Sequence, residues 1–291
     1  MVNYFANLVT VTGISMILAI SLNLLIGYAG IFSMAHAAFY GVGAYVAALL
    51  ALHYTAELTL AVPLAMVTCA AASLLISLPA LRVRGEYFVA ASLGLQVIAF
   101  TVFEQWHSVT GGLSGLIGIP VAELFGYSLA SPLAFMGVTI ALVALVALAV
   151  ICLLRTAFGR DLRAIRDDET AAAAAGKNVA VIKSIAVAIS SALCAVAGVL
   201  YAFNIAFVNP ESFTLNLSVL VMAMVIIGGA GTITGPIIGA ALIQCLPAAL
   251  SWLPLPPQNI GYLQQILYGL AMVLLMIYRP AGLMGKARSK G

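Results

Sequence analysis

Nine apolar runs divide this chain, most of them about 20 residues long and almost free of charge, and they constrain its solvent more than any motif does. They cover residues 5–26, 31–52, 58–80, 87–103, 133–154, 185–208, 217–227, 236–250 and 262–278. A helix of about 20 apolar residues crosses roughly 30 Å of hydrocarbon. Charged residues are 7% of the chain and hydrophobic ones 64%; soluble domains carry about 25% charge. A water-soluble globule must wet its outside and cannot hide that much apolar surface, whereas a protein solvated by lipid can. The expected fold class is all-α, a polytopic transmembrane helix bundle of about 8–10 spans, some short or broken. It is read as one transmembrane domain over 1–291 with a cytoplasmic loop at 155–184.

Residues 1–7 lack the Lys/Arg region of a secretory signal, so the first run reads as a retained span. The seventh and eighth runs are short and separated by GGAGTITG (228–235). The second is expected to be loosened by Gly30, Gly41 and Gly43. Short or glycine-interrupted segments often mark broken helices beside a pathway.

If nine spans alternate, all 12 Lys and Arg residues fall on one side: Arg82, Arg84, Arg155, Arg160, Arg163, Arg166, Lys177, Lys183, Arg279, Lys286, Arg288 and Lys290. The other side receives Glu57, Glu104, Glu123 and Glu211 with no basic residue. The positive-inside rule then places the C-terminus in the cytoplasm and the N-terminus outside. Acidic outer loops imply that a soluble partner docking there carries Lys or Arg opposite Glu104, Glu123 or Glu211.

Ten of the chain's 21 charged residues lie between Arg155 and Lys183. Residues 160–166 suit a short helix with Arg163 and Arg166 one turn apart. Asp167 or Asp168 can cap a second helix, because a short carboxylate accepts from orphan N–H groups. Ala171 to Ala175 are strong helix formers, and Gly176 supplies a left-handed stop. A charge-rich loop of this kind is either an ordinary solvated turn or a surface presented to a soluble partner.

This loop resembles the coupling motif of ABC importer permeases, with Gly159, Arg160, Arg163, Arg166 and Asp168 leading to Glu169, Ala171, Ala172 and Gly176; Thr170 interrupts the literal Glu-Ala-Ala form. The stretches GYAGIFSMAHAAFYGVGAY (27–45), LRVRGEYF (81–88), TGGLSG (110–115), GGAGTITGPIIGA (228–240) and YRPAGL (278–283) are similar, in order, to the M-type (LivM-like) permease subunits of branched-chain amino-acid ABC importers. The Ser-Met-Ala-His form at 33–36 separates them from the sister H-type subunits. The resemblance implies an inner-membrane permease paired with an H-type sister. Two cytoplasmic ATPases would bind ATP and Mg and drive it, a periplasmic binding protein would deliver substrate, and no nucleic acid is involved. Similar permeases serve urea, amides or aromatic acids. Independently, this chain has no GxxxxGK[ST] phosphate loop, since Ala171 stands where Gly176-Lys177 would need its first glycine. ATP hydrolysis is therefore expected to come from another chain.

Candidate pathway residues are Asn23, Ser33, His36, Tyr40, Ser92 and Gln96. His36 is the ionisable group expected well inside a span, sharing a helical face with Ser33, Tyr40 and Gly43. It is either a pathway contact or a neutral histidine bonded to a neighbouring helix. For Asn23, Ser92 and Gln96, helix-to-helix bonding is the more ordinary role. The steps Ser190, Cys194, Gly198, Ala202 and Gly231, Gly235, Gly239 read as close-packing ridges. Cys69, Cys152, Cys194 and Cys245 lie in apolar runs without metal-ligand spacing, so neither a metal nor a disulfide is expected. A secondary transporter would need intramembrane carboxylates for ion coupling, and none sits mid-span. A membrane enzyme would need an HExxH or a Ser/Lys dyad, which is also missing.

Overall fold

The structure is a computed structural model that describes residues 2–80, 86–250, 263, 266–270, 273–274 and 282–284, with backbone alone at 75–80, 86 and 247–250. Much of the ninth run, the 81–85 part of the second motif, positions 278–281 of the last motif and the basic residues Arg82, Arg84, Arg279, Lys286, Arg288 and Lys290 lie outside those residues.

The long apolar runs become helices because helical backbone satisfies its own polar groups where no water can. In order they are α1 (Val2–Asn23), extended by a wider π turn (Leu24–Ala29), α2 (His36–His53), α3 (Leu58–Ala80), α4 (Glu86–Gln105), the single turn α5 (His107–Thr110), α6 (Pro132–Arg155), α7 (Ala157–Asp167), α8 (Glu169–Ala174), α9 (Val179–Ile205), α10 (Leu215–Gly228) and α11 (Thr234–Leu250). Among the described residues six helices are long and apolar enough to cross a membrane, and apolar stretches of α3 and α11 join them. The fold class is the expected one, a multi-pass bundle.

α9 packs along α2 and α3 and crosses α1, while α10 folds back on α11. α1 is the innermost helix, with 83% of its apolar window buried; α4 and α6, at 22% each, turn most of theirs outward. Leu145 and Leu148 are accordingly exposed on α6, as a lipid-facing wall requires. The glycine ridges do the expected work. A Cβ on Gly43 would sit 2.7 Å from the Ala195 Cα, and one on Gly198 would sit 2.7 Å from the Ala44 nitrogen. Gly41 likewise admits the Phe103 ring to the α2 surface, at 2.6 Å from its absent Cβ. Gly41 and Gly43 therefore tighten the second helix rather than loosen it.

The second run is corrected at its start. Gly30, in the left-handed region (φ 69°), ends the π turn, and residues 31–35 are not helical. α2 begins only at His36, so Ser33 does not share its face.

Connections gather at two ends. One holds the start of α1, the α2–α3 turn and the segment between α4 and α6, which forms two small ribbons. β1 (Leu116–Ile117) pairs antiparallel with a later strand, β4 (Phe207–Val208), and β2 (Glu123–Leu124) forms a hairpin with β3 (Tyr127–Ser128). Glu57, Glu104, Glu123 and Glu211 all lie at this acidic end. The other end holds α7, α8, the π turn and the α10–α11 turn, against which Leu283 and Met284 are bonded (to Ile227 and Gly228 carbonyls, 3.0 Å each). Arg155, Arg160, Arg163, Arg166, Lys177 and Lys183, the described Lys and Arg residues, are all at this basic end.

Candidate functional site: a buried helix start and the basic end

A helix that starts inside a bundle has a problem of unsatisfied backbone. Its first N–H groups have no intrahelical acceptors, and leaving them bare in an apolar medium is costly. α2 starts this way. His36 is 1% exposed, and its Nε2 is 2.9 Å from the Ser21 hydroxyl on α1. Residues 30–35 therefore run back into the bundle as a re-entrant segment before the helix begins.

Side chains from distant elements meet the orphan donors. The Ala37 N–H donates to Ser218 Oγ (2.9 Å), the Ala38 N–H to Gln96 Oε1 (2.8 Å) and the Met34 N–H to Ser92 Oγ (3.0 Å). Gln96 also donates from Nε2 to the Phe213 carbonyl (2.8 Å), which ties α4 to the turn before α10. The Ser190 hydroxyl donates to the Ser21 carbonyl (2.6 Å), and the Cys194 thiol to the His36 carbonyl (3.3 Å). Ser33 Oγ accepts a long bond from the Ala35 N–H (3.4 Å). Ser92 and Gln96 thus bond another segment, and His36 has its helix-bonding partner, though its Nδ1 is buried with none among the described residues. Ser21 and Ser218 escaped the sequence reading; their only signal was a hydroxyl inside an apolar run.

Gln96→Leu keeps the volume and removes both bonds, stranding the buried Phe213 carbonyl and leaving the Ala38 N–H only its bond to the Ala35 carbonyl (3.1 Å). A stranded buried group costs about 1–3 kcal/mol. The expected outcome is a clear fall in thermal stability of the purified protein in detergent, larger than for Thr101→Leu on the exposed face of the same helix.

Tyr40 sits elsewhere, in a cluster of rings with Tyr201 (centroids 5.4 Å apart), Phe213 (5.3 Å), Tyr45 and Phe103. It also lines a cavity, described below.

At the basic end, Asn23 clamps the α10–α11 turn: its Nδ2 donates to the Thr232 carbonyl (2.8 Å), and its Oδ1 accepts from the Gly231 N–H (2.9 Å). The Gly27 carbonyl, freed by the end of the π turn, accepts from Arg166 Nη1 (2.6 Å). A cation at a helix C-terminus also complements the dipole. Arg166 of α7 thereby touches the turn that launches the re-entrant segment, and a Cβ on Gly30 would meet the Arg166 Cγ at 3.0 Å.

The loop carrying Arg166 is built as its residues dictate. α7 buries Leu162 and Ile165 and turns Arg160 and Arg163 outward, with the Arg163 guanidinium donating to the Leu154 carbonyl (2.6 Å). Gly159 is required where α7 folds against the end of α6, since a Cβ would overlap the Leu154 carbonyl. Asp168, not Asp167, caps α8, accepting from the Thr170 and Ala171 N–H groups (2.8 and 3.0 Å). Gly176 has the expected positive φ (82°). Lys183–Glu169 (2.6 Å) and Lys177–Asp161 (2.9 Å) brace the loop, each adding little on a wet surface. Ala172 is buried, while Ala171 and Ala173 to Ala175 leave a small-residue face exposed. Asp168→Ala is expected to cost about 1 kcal/mol locally, seen as faster amide exchange over 169–174 with the bundle unchanged.

Glu123 and Glu211 are exposed and Glu104 half-buried at the opposite end. Among the described residues no group of three His, Cys, Asp or Glu side chains could hold a metal ion.

Comparison with known proteins agrees with this architecture. Residues 4–276 match the family described as branched-chain amino acid transport system / permease component. The chain is 32% identical to the high-affinity branched-chain amino acid transport system permease protein LivM of Salmonella typhimurium, over 97% of this chain and 70% of the relative. The LivM protein of Escherichia coli matches to the same extent. A probable LivM of Methanocaldococcus jannaschii is 27% identical over 78% of this chain and 68% of its own. No solved structure matches.

Proposed function

The chain belongs to the branched-chain amino acid transport permease family and is LivM-like, and on that premise we propose that it forms one half of the pathway of an ABC importer for branched-chain amino acids. It is a transport subunit, not a catalyst. The sister H-type permease supplies the other half, two cytoplasmic ATPases hold ATP and Mg, and a periplasmic protein delivers the amino acid. The basic end, with the C-terminus, faces the cytoplasm of the bacterial cell and the N-terminus faces the periplasm, which is the orientation the positive-inside rule favours. Residues 1–291 act as a single permease domain.

The observation that carries this reading is the bond from Arg166 to the Gly27 carbonyl. It joins a charged two-helix loop, exposed for a soluble partner, to the turn that begins the re-entrant segment. Closure of ATPases gripping residues 159–176 would pull on that turn and switch the bundle between outward- and inward-open states. At the other end, Glu104, Glu123 and Glu211 meet basic groups of the binding protein, an attraction that salt weakens.

The test is uptake by vesicles holding this chain with its sister permease and ATPases, plus the binding protein. ATP-dependent accumulation of leucine, isoleucine and valine is expected, with urea excluded. Urea uptake without leucine uptake would refute the cargo, and uptake independent of ATP would refute the drive.

A further inference from the structure

A cavity of about 290 Å³ lies in the acidic half of the bundle between α1, α9, α10 and α11. Its polar lining is Ser15, Tyr40, Tyr201, Asn204, Ser212 and Gln244, and among the described residues no charged one borders it. Polar groups are costly where a bundle faces lipid and gather where it faces a ligand or water. The Tyr201 hydroxyl donates to Ser212 Oγ (2.7 Å), and Ser212 donates to Asn209 Oδ1 (2.5 Å), which fixes both groups at the cavity edge. Tyr40, 4% exposed, also lines the space. The rest of the lining is mostly aliphatic, including Leu18, Val221 and Met224.

We infer that this cavity is a station for the transported solute, and that it takes a small zwitterion with an aliphatic side chain. Its volume falls at the bottom of the range for small-molecule pockets. Hydroxyls and amides both donate and accept, so they satisfy an ammonium and a carboxylate together. With no countercharge in the wall, neither an anion nor a cation alone is held, and the zwitterion is held weakly enough to leave. The aliphatic part of the lining receives the side chain. Above the cavity, Asn204 also borders a second space of about 380 Å³ that reaches Asn3 and Asn7 near the start of α1. The Asn204–Asn7 hydrogen bond (3.2 Å) stands between the two.

This assignment rests on the amino-acid reading above, and one experiment separates the two. It uses the assembled transporter in vesicles with the exposed Cys152 and Cys245 replaced by serine, and a trimethylammonium-ethyl methanethiosulfonate as the probe. Leucine uptake is measured first; if it is missing before any label is added, the amino-acid reading itself is wrong. With uptake present, modification of Ser15→Cys is expected to cut it about tenfold by filling the space, whereas modified Leu145→Cys on the outward face of α6 changes little. Leucine at about twice its Kd should slow the labelling about threefold by mass action, and urea should not. Ser212→Cys carries the same test if Ser15→Cys transports poorly. An unreactive or fully active labelled variant, or protection by urea and not by leucine, would overturn the assignment.

Discussion

Arg166→Met is expected to cut ATP-driven leucine uptake by about tenfold or more while the ATPases keep turning over, so that leucine moved per ATP falls. The lost contact is a charge-assisted bond of about 1.5–3 kcal/mol, equivalent to roughly 10–100-fold in an equilibrium. The same change also removes the Arg166–Asp167 pair (3.3 Å), which is solvent-exposed and worth little. Methionine keeps the aliphatic stem and leaves the Gly27 carbonyl without its guanidinium. Lysine offers a compact charge with no planar fork, so Arg166→Lys should restore coupling in part. A purely structural role would lower thermal stability and leave the ratio of transport to hydrolysis unchanged, and that outcome would contradict the account.

Gly239→Ala is expected to be among the most damaging single changes in the chain. A Cβ there would overlap the Met224 carbonyl oxygen, and one on Gly228 would overlap the Gly235 carbonyl. Both obstacles are backbone, so no rotamer change relieves them. Overpacking of this kind typically costs about 1–3 kcal/mol, and separating α10 from α11 would also disturb the turn that Asn23 holds. The expected result is a marked drop in midpoint temperature or loss of folded protein on extraction. Gly137→Ala, with nothing within 4 Å of its absent Cβ, should change stability by no more than about 0.5 kcal/mol.

Features fixed by neighbouring residues were the legible ones. The bounds of α3 coincide with the apolar run at 58–80, and the α7–α8 loop carries its helix formers, cap and left-handed glycine within one short stretch. Even there the choice between Asp167 and Asp168 depended on backbone angles that composition does not reveal. Gly30 was the one signal of the break before α2, and its extent was hidden because residues 31–35 are as apolar as the helix that follows. What makes the break tolerable is Ser92, Gln96 and Ser218, brought in from 58, 58 and 181 residues away. The small ribbons were hidden for the same reason, since Leu116 meets Val208 only after the bundle has formed.

Site residues follow that division. Most of the polar side chains singled out inside spans are occupied in capping α2 or clamping a turn. The polar wall of the cavity comes instead from Ser15, Tyr201, Asn204 and Ser212, which the sequence gives no reason to group. Only the crossing of α1, α9 and α10 brings them together.

On the function proposed above, this chain is a pathway without an engine, driven through the loop between α6 and α9. The most direct measurement is the ATPase activity that co-purifies with the chain from detergent-solubilised membranes, before and after deletion of residues 160–176. Nucleotide hydrolysis is expected to accompany the intact chain and to be lost with the deletion, while the sister permease stays bound. Hydrolysis that co-purifies equally well without the loop, or that never accompanies the intact chain, would contradict that reading.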